Sequence, residues 1–277
     1  MTERAEPSAE WQALHARSAR AVLRAQAATQ RKIDQTTRRE VAAAAAALLM
    51  LGDEPSRSAV IRSVRQARES LAAALADDID TGRSISRRLS AEQLQLELAQ
   101  AEQDAKKHGT AKDAAVASTM IMALAMRRRS KPIAVTAEDA MYARLAASSL
   151  ANSWTQRAMA AVGDAGRAET SAAAAVARTP AGMKPGIKRT AQTEAARAFQ
   201  SEHAEALAGA AESAAGKERV PFLMRVWIAI NDKRTCGTCR AHDGEAVPTG
   251  TPFSDGDEPG WVHPKCGCSE SLETIFG

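Results

Sequence analysis

All four cysteines of this 277-residue chain lie in one stretch near its C-terminus. Two of them form a Cys-x-x-Cys pair, and the other two follow a histidine in the pattern His-Pro-x-Cys-x-Cys. Zinc in proteins favours four tetrahedral ligands, which cysteine thiolates and histidine imidazoles supply. A Cys-x-x-Cys turn can offer two sulfurs to one ion, and the second motif is the evident source of the other ligands. The spacing therefore predicts a structural zinc site that constrains the fold of the C-terminal region.

Five side chains are candidates for the four ligand positions: Cys236, Cys239, His263, Cys266 and Cys268. We expect the first three to bind, together with either Cys266 or Cys268. Those two are two residues apart, so on an extended strand they would share a face and could both reach the ion. His242 is a weaker alternative to His263 because it lies beside the turn signal Asp243-Gly244.

Other interpretations of the cysteines stay open at this point. They could be ordinary buried thiols, or Cys236 and Cys239 could form a redox pair, although no thioredoxin-like βαβ pattern surrounds them. A catalytic zinc would keep a position open for water and would need a general base beside it. Asp232, Asp243 and Glu245 are near in sequence, but the spacing assigns that role to none of them. The sequence therefore predicts no catalytic residue and no enzyme.

The residues before the cysteine region are rich in alanine, and aromatic residues make up only 3% of the chain. Apolar residues at helical spacing and capping patterns such as Ser90-Ala91-Glu92-Gln93 predict long helices. We predict helices over 8–51, 56–75, 90–107, 112–129, 136–178 and 188–215, with loops at 77–86 and 179–186. The helix over 136–178 could be kinked near Gly163 and Gly166. Residues 1–7 are expected to be a frayed start, and residues 52–55 a helix stop.

Beyond Gly216 the composition changes, because prolines and aromatic residues become frequent. Residues 222–230 and 245–247 are typical of strands, with a turn signal before the second. The predicted fold class is therefore mainly α, with long alanine-rich helices followed by a small C-terminal α+β or β-rich module. We expect three regions: a helical body over 1–180, a linker and helix over 181–216, and the cysteine-rich module over 217–277.

The net charge of +4 is unevenly distributed along the chain. The last 61 residues carry seven Lys/Arg against nine Asp/Glu, so the positive excess belongs to the helices. Basic residues are spaced along one face of the first helix and end a later one: Arg17, Arg20, Arg24, Arg31, Lys32 and Arg127 to Arg129. Such faces suit DNA or an acidic protein, but a basic stripe is more often the solvated side of an amphipathic helix, and the helix dipole explains the triplet.

The start of the chain shows no basic region followed by an apolar run, so no secretory signal is predicted. The longest apolar run, Val41 to Leu51, is about half the ~20 residues that a membrane span needs. We therefore expect a soluble protein of a reducing compartment, with no membrane partner. In such a compartment, clustered cysteines are more often metal ligands than disulfides.

The C-terminal region carries an ordered series of motifs: Trp227-Ile228-Ala229, Asn231-Asp232-Lys233-Arg234-Thr235-Cys236, Cys239, Asp243-Gly244 and His263-Pro264-Lys265-Cys266-Gly267-Cys268. In order and spacing this series resembles the signature of the phage Mu F-like minor head proteins, also called phage head morphogenesis proteins. Residues 187–197 resemble the Arg-Thr-Glu helix that precedes that signature, with two extra residues between Thr190 and Thr193-Glu194. The family usually has arginine where this chain has Gly267. The resemblance covers roughly residues 187–270.

The resemblance implies a structural protein of a tailed-phage or prophage head. Such proteins are present in low copy, associate with the portal protein and the major capsid protein, and take part in head assembly and in genome packaging or ejection. The expected location is the virion, inside the head or at the portal vertex, with the host cytoplasm during assembly. The expected state is oligomeric or assembled, with packaged DNA a further partner of the basic helices.

Two functions of other classes compete with this one. The first is a zinc-dependent nuclease of treble-clef type with Asp243 and His263 in its site, but the required Asp/His–His pair before a helix is missing. The second is a DNA-binding zinc-module protein, which would need basic and aromatic residues around the cysteines. The net acidic composition of residues 217–277 argues against contact between the module and DNA.

Overall fold

The computed structural model describes residues 8–52, 56–130, 137–167, 170–216, 220–230, 235–263 and 266–276. Several features of the sequence lie outside these residues. They are the chain start at 1–7, the helix stop at 53–55, residues 231–234 of the phage-like motif, and Pro264 and Lys265 of the second cysteine motif.

The described chain is mainly α-helical and ends in a small sheet-containing module, which confirms the predicted fold class. The helices are α1 (Ala9–Leu49), α2 (Arg57–His108), α3 (Ala111–Ser130), α4 (Ala137–Arg167), α5 (Ala172–Ala177), α6 (Pro180–Ala215) and α7 (Gly237–Ala241). The strands are β1 (Leu223–Ile228), β2 (Ala246–Pro248) and β3 (Ser269–Thr274), and a 3-10 turn spans Ser254–Gly256.

The predicted loop at 77–86 is wrong, because these residues lie inside α2. Leu75, Ile79 and Arg83 are buried and recur every four residues, so this segment turns one helical face inward. Gly82 is not a helix breaker here. A Cβ atom at this position would lie 2.4 Å from Oγ1 of Thr29, so the missing side chain permits close approach of α1 and α2.

The predicted loop at 179–186 is also wrong, since α6 begins at Pro180. Proline suits the first position of a helix because its fixed φ is already helical and its missing N–H would have no intrahelical partner. Met183, Ile187 and Ala191 follow at four-residue intervals and are buried. Their burial favours the helix in spite of Pro185, which removes one backbone hydrogen bond.

The single helix predicted over 136–178 is divided in the structure. Helix α4 ends at Arg167, and α5 begins after Ser171, whose side chain accepts a hydrogen bond from the N–H of Ala174. A serine in this position is a strong helix-starting signal, because its oxygen satisfies an N–H of the first turn.

The chain forms two compact units that do not follow chain order. The first unit comprises Met1–Gln26, Ser84–Ala134 and Ala195–Gly277, and the second comprises Ala27–Arg83 and Val135–Glu194. Helices α1, α2 and α6 therefore each supply residues to both units. The boundaries expected at residues 180 and 216 do not coincide with these units, and the division into three regions stays a prediction.

The second unit has a core of aliphatic side chains around one tryptophan, with much of the remainder contributed by alanine. Its large buried side chains are Ile33, Leu71, Leu75, Ile79 and Trp154. Trp154 donates its indole N–H to Oγ1 of Thr179 at 3.0 Å. Small alanine faces let these helices pack closely, although each alanine buries little apolar area.

The first unit contains the C-terminal module and its supporting helices. Strand β1 is central in a three-stranded antiparallel sheet of order β2-β1-β3, with Arg225 opposite Val247 on one side and Leu272 on the other. Phe222, Leu223 and Leu272 join one core with Leu94 and Leu98 of α2 and Leu207 of α6. The module therefore packs on helices rather than standing alone.

Among the residues that the structure describes, no helix is both long enough and apolar enough to cross a bilayer.

Candidate metal centre

The first ligand pair is positioned by the start of α7. Cys236 is the N-cap residue of this short helix, and its sulfur accepts a hydrogen bond from the N–H of Cys239 at 3.3 Å. The chain thus doubles back between the two cysteines and brings both sulfurs to the same side. This is the local geometry that the Cys-x-x-Cys spacing predicts.

All five predicted donors come together, in two groups that share one residue. The donor atoms of Cys236, Cys239 and His263 lie within 4.8 Å of one another, and so do those of Cys239, Cys266 and Cys268. The second group is fully buried, whereas Cys236 and His263 are half-buried. Cys239 is common to both groups and therefore lies at the centre of the cluster.

The distances from Cys239 fit a tetrahedral ion. Its Sγ lies 3.4 Å from Nε2 of His263 and 3.7 Å from Sγ of Cys266. Zinc with bonds of about 2.3 Å to sulfur and about 2.0 Å to nitrogen would separate its ligands by about 3.5 Å (S to N) and about 3.8 Å (S to S). The cluster can therefore hold a metal ion, and the two contacts correspond to two edges of such a tetrahedron.

The pKa values of the thiols also indicate a place for a cation. Hydrogen bonding from Cys268 lowers the pKa of Cys266 to about 5, whereas burial and the nearby charge of Cys266 raise the pKa of Cys239 to about 12. Hydrogen bonding to Cys266 and burial likewise raise the pKa of Cys268. One thiolate thus disfavours the ionisation of the neighbouring thiols in the buried cluster. A divalent cation would offset the repulsion between their negative charges.

Cys236 behaves differently because it is closer to solvent. Burial acts to raise its pKa, but hydrogen bonds from Cys239 and the nearby His263 outweigh this effect and lower the pKa. Cys236 and Cys266, one in each group of donors, are therefore the two cysteines whose pKa is lowered.

The weaker candidate, His242, is not directed at the cysteines. Its Nδ1 lies 2.5 Å from Oε2 of Glu245, and its Nε2 lies 3.5 Å from Oδ2 of Asp257. Its ring stacks on Trp227 with centroids 4.5 Å apart, beside the cysteine cluster. Hydrogen bonding to Glu245 raises the pKa of His242, and these contacts hold the ring within the fold of the module.

The acidic residues near the cluster have structural roles where the structure describes them. Asp243 accepts a hydrogen bond from the N–H of Ala229 through Oδ1 at 2.8 Å. Glu245 binds His242 and also accepts from the backbone N–H of Ser254 at 2.7 Å. Asp232, the third acidic candidate, lies outside the described residues.

Gly267, the departure from the phage-family motif, lies where a side chain has little room. A Cβ atom here would lie 2.6 Å from Cδ1 of Ile230 and 3.5 Å from Nε2 of Gln26. An arginine, which is usual at this position in the phage proteins that the motif resembles, would therefore require Ile230 to move. Packing between the cysteine segment and its neighbours explains the glycine.

A buried charge network lies behind the sheet, and the sequence motifs did not indicate it. His203 of α6 is fully buried, with Nε2 3.0 Å from Oε2 of Glu97 and Nδ1 3.1 Å from Oε1 of Glu270. Arg225 of β1 donates to the other oxygen of Glu270 at 2.6 Å. A local signal was present, because Glu97 lies on the same helical face as the buried residues Leu94 and Leu98.

These groups stabilise one another's charges. Burial alone would lower the pKa of His203, but hydrogen bonds to Glu270 and Glu97 outweigh it and raise the pKa to about 10. Burial alone would raise the pKa of Glu270, but His203 and Arg225 lower it to about 2. Both ring nitrogens of His203 face carboxylates, so this histidine holds helices to the sheet and is not placed to act on a ligand.

The basic residues of the first helix lie on the surface: Arg17, Arg20, Arg24 and Arg31 are exposed and Lys32 is half-buried. The triplet that ends α3 is different. Arg127 lies 3.5 Å from Oε1 of Glu202 and 3.3 Å from Oε2 of Glu205, and Arg128 donates to Gln95 at 2.7 Å. Two of its three cations therefore stabilise the first unit.

Comparison of this chain with protein-family models, with curated proteins and with solved structures gives no significant match.

Proposed function

We propose that this chain is a minor head protein of a tailed phage or prophage, with a C-terminal module fastened by one structural zinc ion. The observation that carries the proposal is the convergence on Cys239 of donors that are far apart in the chain. They occur in the order Cys-x-x-Cys then His-Pro-x-Cys-x-Cys, which is the order of the phage Mu F-like signature.

The proposed ligand set is Cys236, Cys239, His263 and Cys266. Cys239 contacts both His263 and Cys266 at distances that suit zinc, and Cys236 belongs to the same group as His263. Three sulfurs and one imidazole nitrogen are a common closed zinc environment, with no position left for water. Such an ion would supply charge neutralisation for the buried thiolates and cross-link α7 to the segment before β3.

A structural role in assembly accords better with the module than catalysis does. Asp243, which the nuclease alternative would need as a catalytic group, is engaged in a hydrogen bond within the module, and so is the neighbouring Glu245. Assembly would place the chain with the portal and major capsid proteins inside the head, and in the host cytoplasm before that. The exposed arginines of α1 would face packaged DNA.

The zinc proposal is tested by elemental analysis of the full chain purified without added metal. We expect about one zinc per chain, lost in the double variant Cys236→Ser/Cys239→Ser and retained in Thr238→Ala, a matched control within the same turn. The double variant should also expose residues 217–277 to protease while overall helicity remains nearly intact. Unchanged protease resistance of the module in that variant would contradict a structural ion.

The assembly proposal needs a separate test. The chain is co-expressed with the portal and major capsid proteins encoded in the same genome, and particles are isolated on a density gradient. We expect the chain to co-migrate with particles in a low, fixed ratio to the portal protein. A chain that stays at the top of the gradient when particles form would refute the head-protein role, whatever its metal content.

A further inference from the structure

The second unit contains a surface cavity of about 500 Å³ between α1, the end of α5 and the first turns of α6. Its wall includes six residues with groups that can bind a ligand: Asp34, Thr37, Arg38, Arg178, Ala181 and Lys184. This cavity lies in the other unit from the cysteine cluster, and the inference drawn from it is independent of the proposed metal site and of the head-protein role.

The cavity carries excess positive charge. Arg38, Arg178 and Lys184 are exposed around it, and within the described residues none of them makes a salt bridge. Asp34 contributes one carboxylate, so the four charged groups sum to two positive charges. Three cations held on two helices and a connecting turn, with the one carboxylate of Asp34 among them, leave a net positive charge that is typical of an anion site.

A buried hydroxyl on the same wall lacks a hydrogen-bond partner. Thr37 is only 1% exposed, and its Oγ1 has no partner among the described residues. Threonine inside a helix usually donates to the carbonyl four residues earlier, and buried polar groups are nearly always satisfied. An unsatisfied hydroxyl on a residue that lines a cavity therefore points to a ligand atom that accepts its hydrogen bond.

The amino-terminal end of α6 adds a backbone donor. The first N–H groups of a helix have no intrahelical partners. In α6, Pro180 has no N–H and that of Gly182 donates to the carbonyl of Thr179 at 3.1 Å, so the donor that lines the cavity is the N–H of Ala181. Thr179 does not cap it with its side chain, because its Oγ1 donates to the carbonyl of Val176 at 2.7 Å and accepts from Trp154. The positive end of a 36-residue helix dipole therefore faces this region.

We propose that this cavity binds a phosphate group. A tetrahedral oxyanion would accept hydrogen bonds from Arg38, Arg178 and Lys184, from the Thr37 hydroxyl and from the first turn of α6. Asp34 would favour a ligand with a hydroxyl group beside the phosphate, because the carboxylate could accept a hydrogen bond from that hydroxyl. A small phosphorylated molecule and the backbone of a nucleic acid share this chemistry, and the experiment distinguishes them.

The test measures binding of inorganic phosphate to the full chain by calorimetry at constant ionic strength. We expect the double variant Arg38→Gln/Lys184→Gln to weaken phosphate binding at least about tenfold, since each lost contact is charge-assisted. Thr37→Val should also weaken binding without lowering the midpoint of urea unfolding, because it removes an unsatisfied hydroxyl. The matched control Arg39→Gln/Lys188→Gln changes exposed cations on the same two helices outside the cavity and should bind as the unaltered chain does.

A second arm uses a fluorescent 20-base-pair DNA duplex and measures anisotropy. If phosphate competes with the duplex and the cavity variant weakens both, the ligand is a nucleic-acid backbone. If phosphate binds through the cavity but does not compete with the duplex, and the cavity variant does not weaken duplex binding, the ligand is a small phosphorylated molecule. The proposal is overturned if millimolar phosphate does not bind, or if the cavity and control variants lose binding equally.

Discussion

Nδ1 of His203 on α6 lies 3.1 Å from Oε1 of Glu270 on β3, and both residues are almost completely buried. With Glu97 on the other side of the ring, this contact joins α2, α6 and the sheet of the first unit. A charged pair in an apolar interior is costly unless every polar atom finds a partner. Here Arg225 and Ser271 complete the hydrogen bonding of the two carboxylates, so the network specifies how the module packs.

Replacement of His203 by Gln should destabilise the first unit by about 3–5 kcal/mol, because Glu97 and Glu270 lose the positive charge between them. Urea unfolding followed by tryptophan fluorescence measures the change, since Trp11 and Trp227 are both buried in this unit. His108→Gln, an exposed histidine at the end of α2, is the matched control and should change stability by less than about 0.5 kcal/mol. Equal effects of the two variants would contradict a structural network.

The same network predicts how stability depends on pH. His203 has a folded pKa raised from 6.5 to about 10, so its contribution is complete below about pH 6.5 and is lost as the pH rises towards 10. Glu270 has a folded pKa lowered from 4.5 to about 2, so its contribution is complete above about pH 4.5 and is lost as the pH falls towards 2. We expect the network to stabilise most between about pH 4.5 and 6.5. The free energy of unfolding, measured at several pH values, should fall less steeply between about pH 6.5 and 10 in His203→Gln than in the unaltered chain. An equal slope in the two proteins would count against the prediction.

The cysteine cluster predicts unequal effects of single replacements. Cys239 belongs to both groups of donors, so Cys239→Ser should abolish metal binding. Cys268 is the one of the five donors that the proposed ligand set does not include, so Cys268→Ser should retain close to one metal ion per chain. Elemental analysis of the two variants measures the metal content of each. Loss of metal in Cys268→Ser with retention in Cys266→Ser would exchange the roles of these two cysteines.

Gly82 should tolerate no side chain, in spite of its helical position. A Cβ atom would lie 2.4 Å from Oγ1 and 2.9 Å from Cβ of Thr29, and the latter cannot move without its backbone. We expect Gly82→Ala to destabilise the chain by about 1–3 kcal/mol. Gly163→Ala is the control, because nothing lies within 4 Å of a Cβ there and alanine should stabilise α4 by up to about 1 kcal/mol. Thermal unfolding of both variants would reveal the opposite signs, and stabilisation by Gly82→Ala would show that the helices are further apart.

Arg83 should be essential to the second unit because it pairs with two buried carboxylates, Asp139 and Glu194. Arg83→Met leaves both without a cation and should cost about 3–5 kcal/mol. The triple variant Arg83→Met/Asp139→Asn/Glu194→Gln removes the charges together and should recover part of that loss. Urea midpoints of the two variants provide the comparison. A triple variant less stable than Arg83→Met would mean that unpaired charge is not the cause.

Much of the candidate site could be predicted from the sequence because its geometry is local. Two cysteines three residues apart around a tight turn must lie close together, and the structure places Cys239 within reach of Cys236, His263 and Cys266. The strand before them was also predictable, since 222–230 is aromatic and β-branched and β1 occupies Leu223–Ile228. The choice of four ligands from five donors was not predictable, because it depends on distances between separate segments.

Strand β3 could not be predicted, because its sequence Ser-Glu-Ser-Leu-Glu-Thr is mostly polar. In isolation those residues indicate an exposed segment. The structure buries Glu270 against His203 and Arg225, and Ser271 against Glu97, and these partners come from α2, α6 and β1. Polar residues enter a core only when such partners exist, and the local sequence contains no record of them.

Local sequence features are enough to predict that the chain is mainly helical, that its C-terminal module differs from the rest, and that the cysteines of that module can share an ion. These properties follow from helix propensity, hydrophobic spacing and short-range chain geometry, which act over a few residues. Three features follow instead from long-range packing: residues 77–86 are helical, α1, α2 and α6 contribute to two compact units, and His203 lies between two carboxylates. Each of these depends on burial against residues distant in the chain, and burial outweighs the weak local preferences of residues such as Gly82 and Pro185.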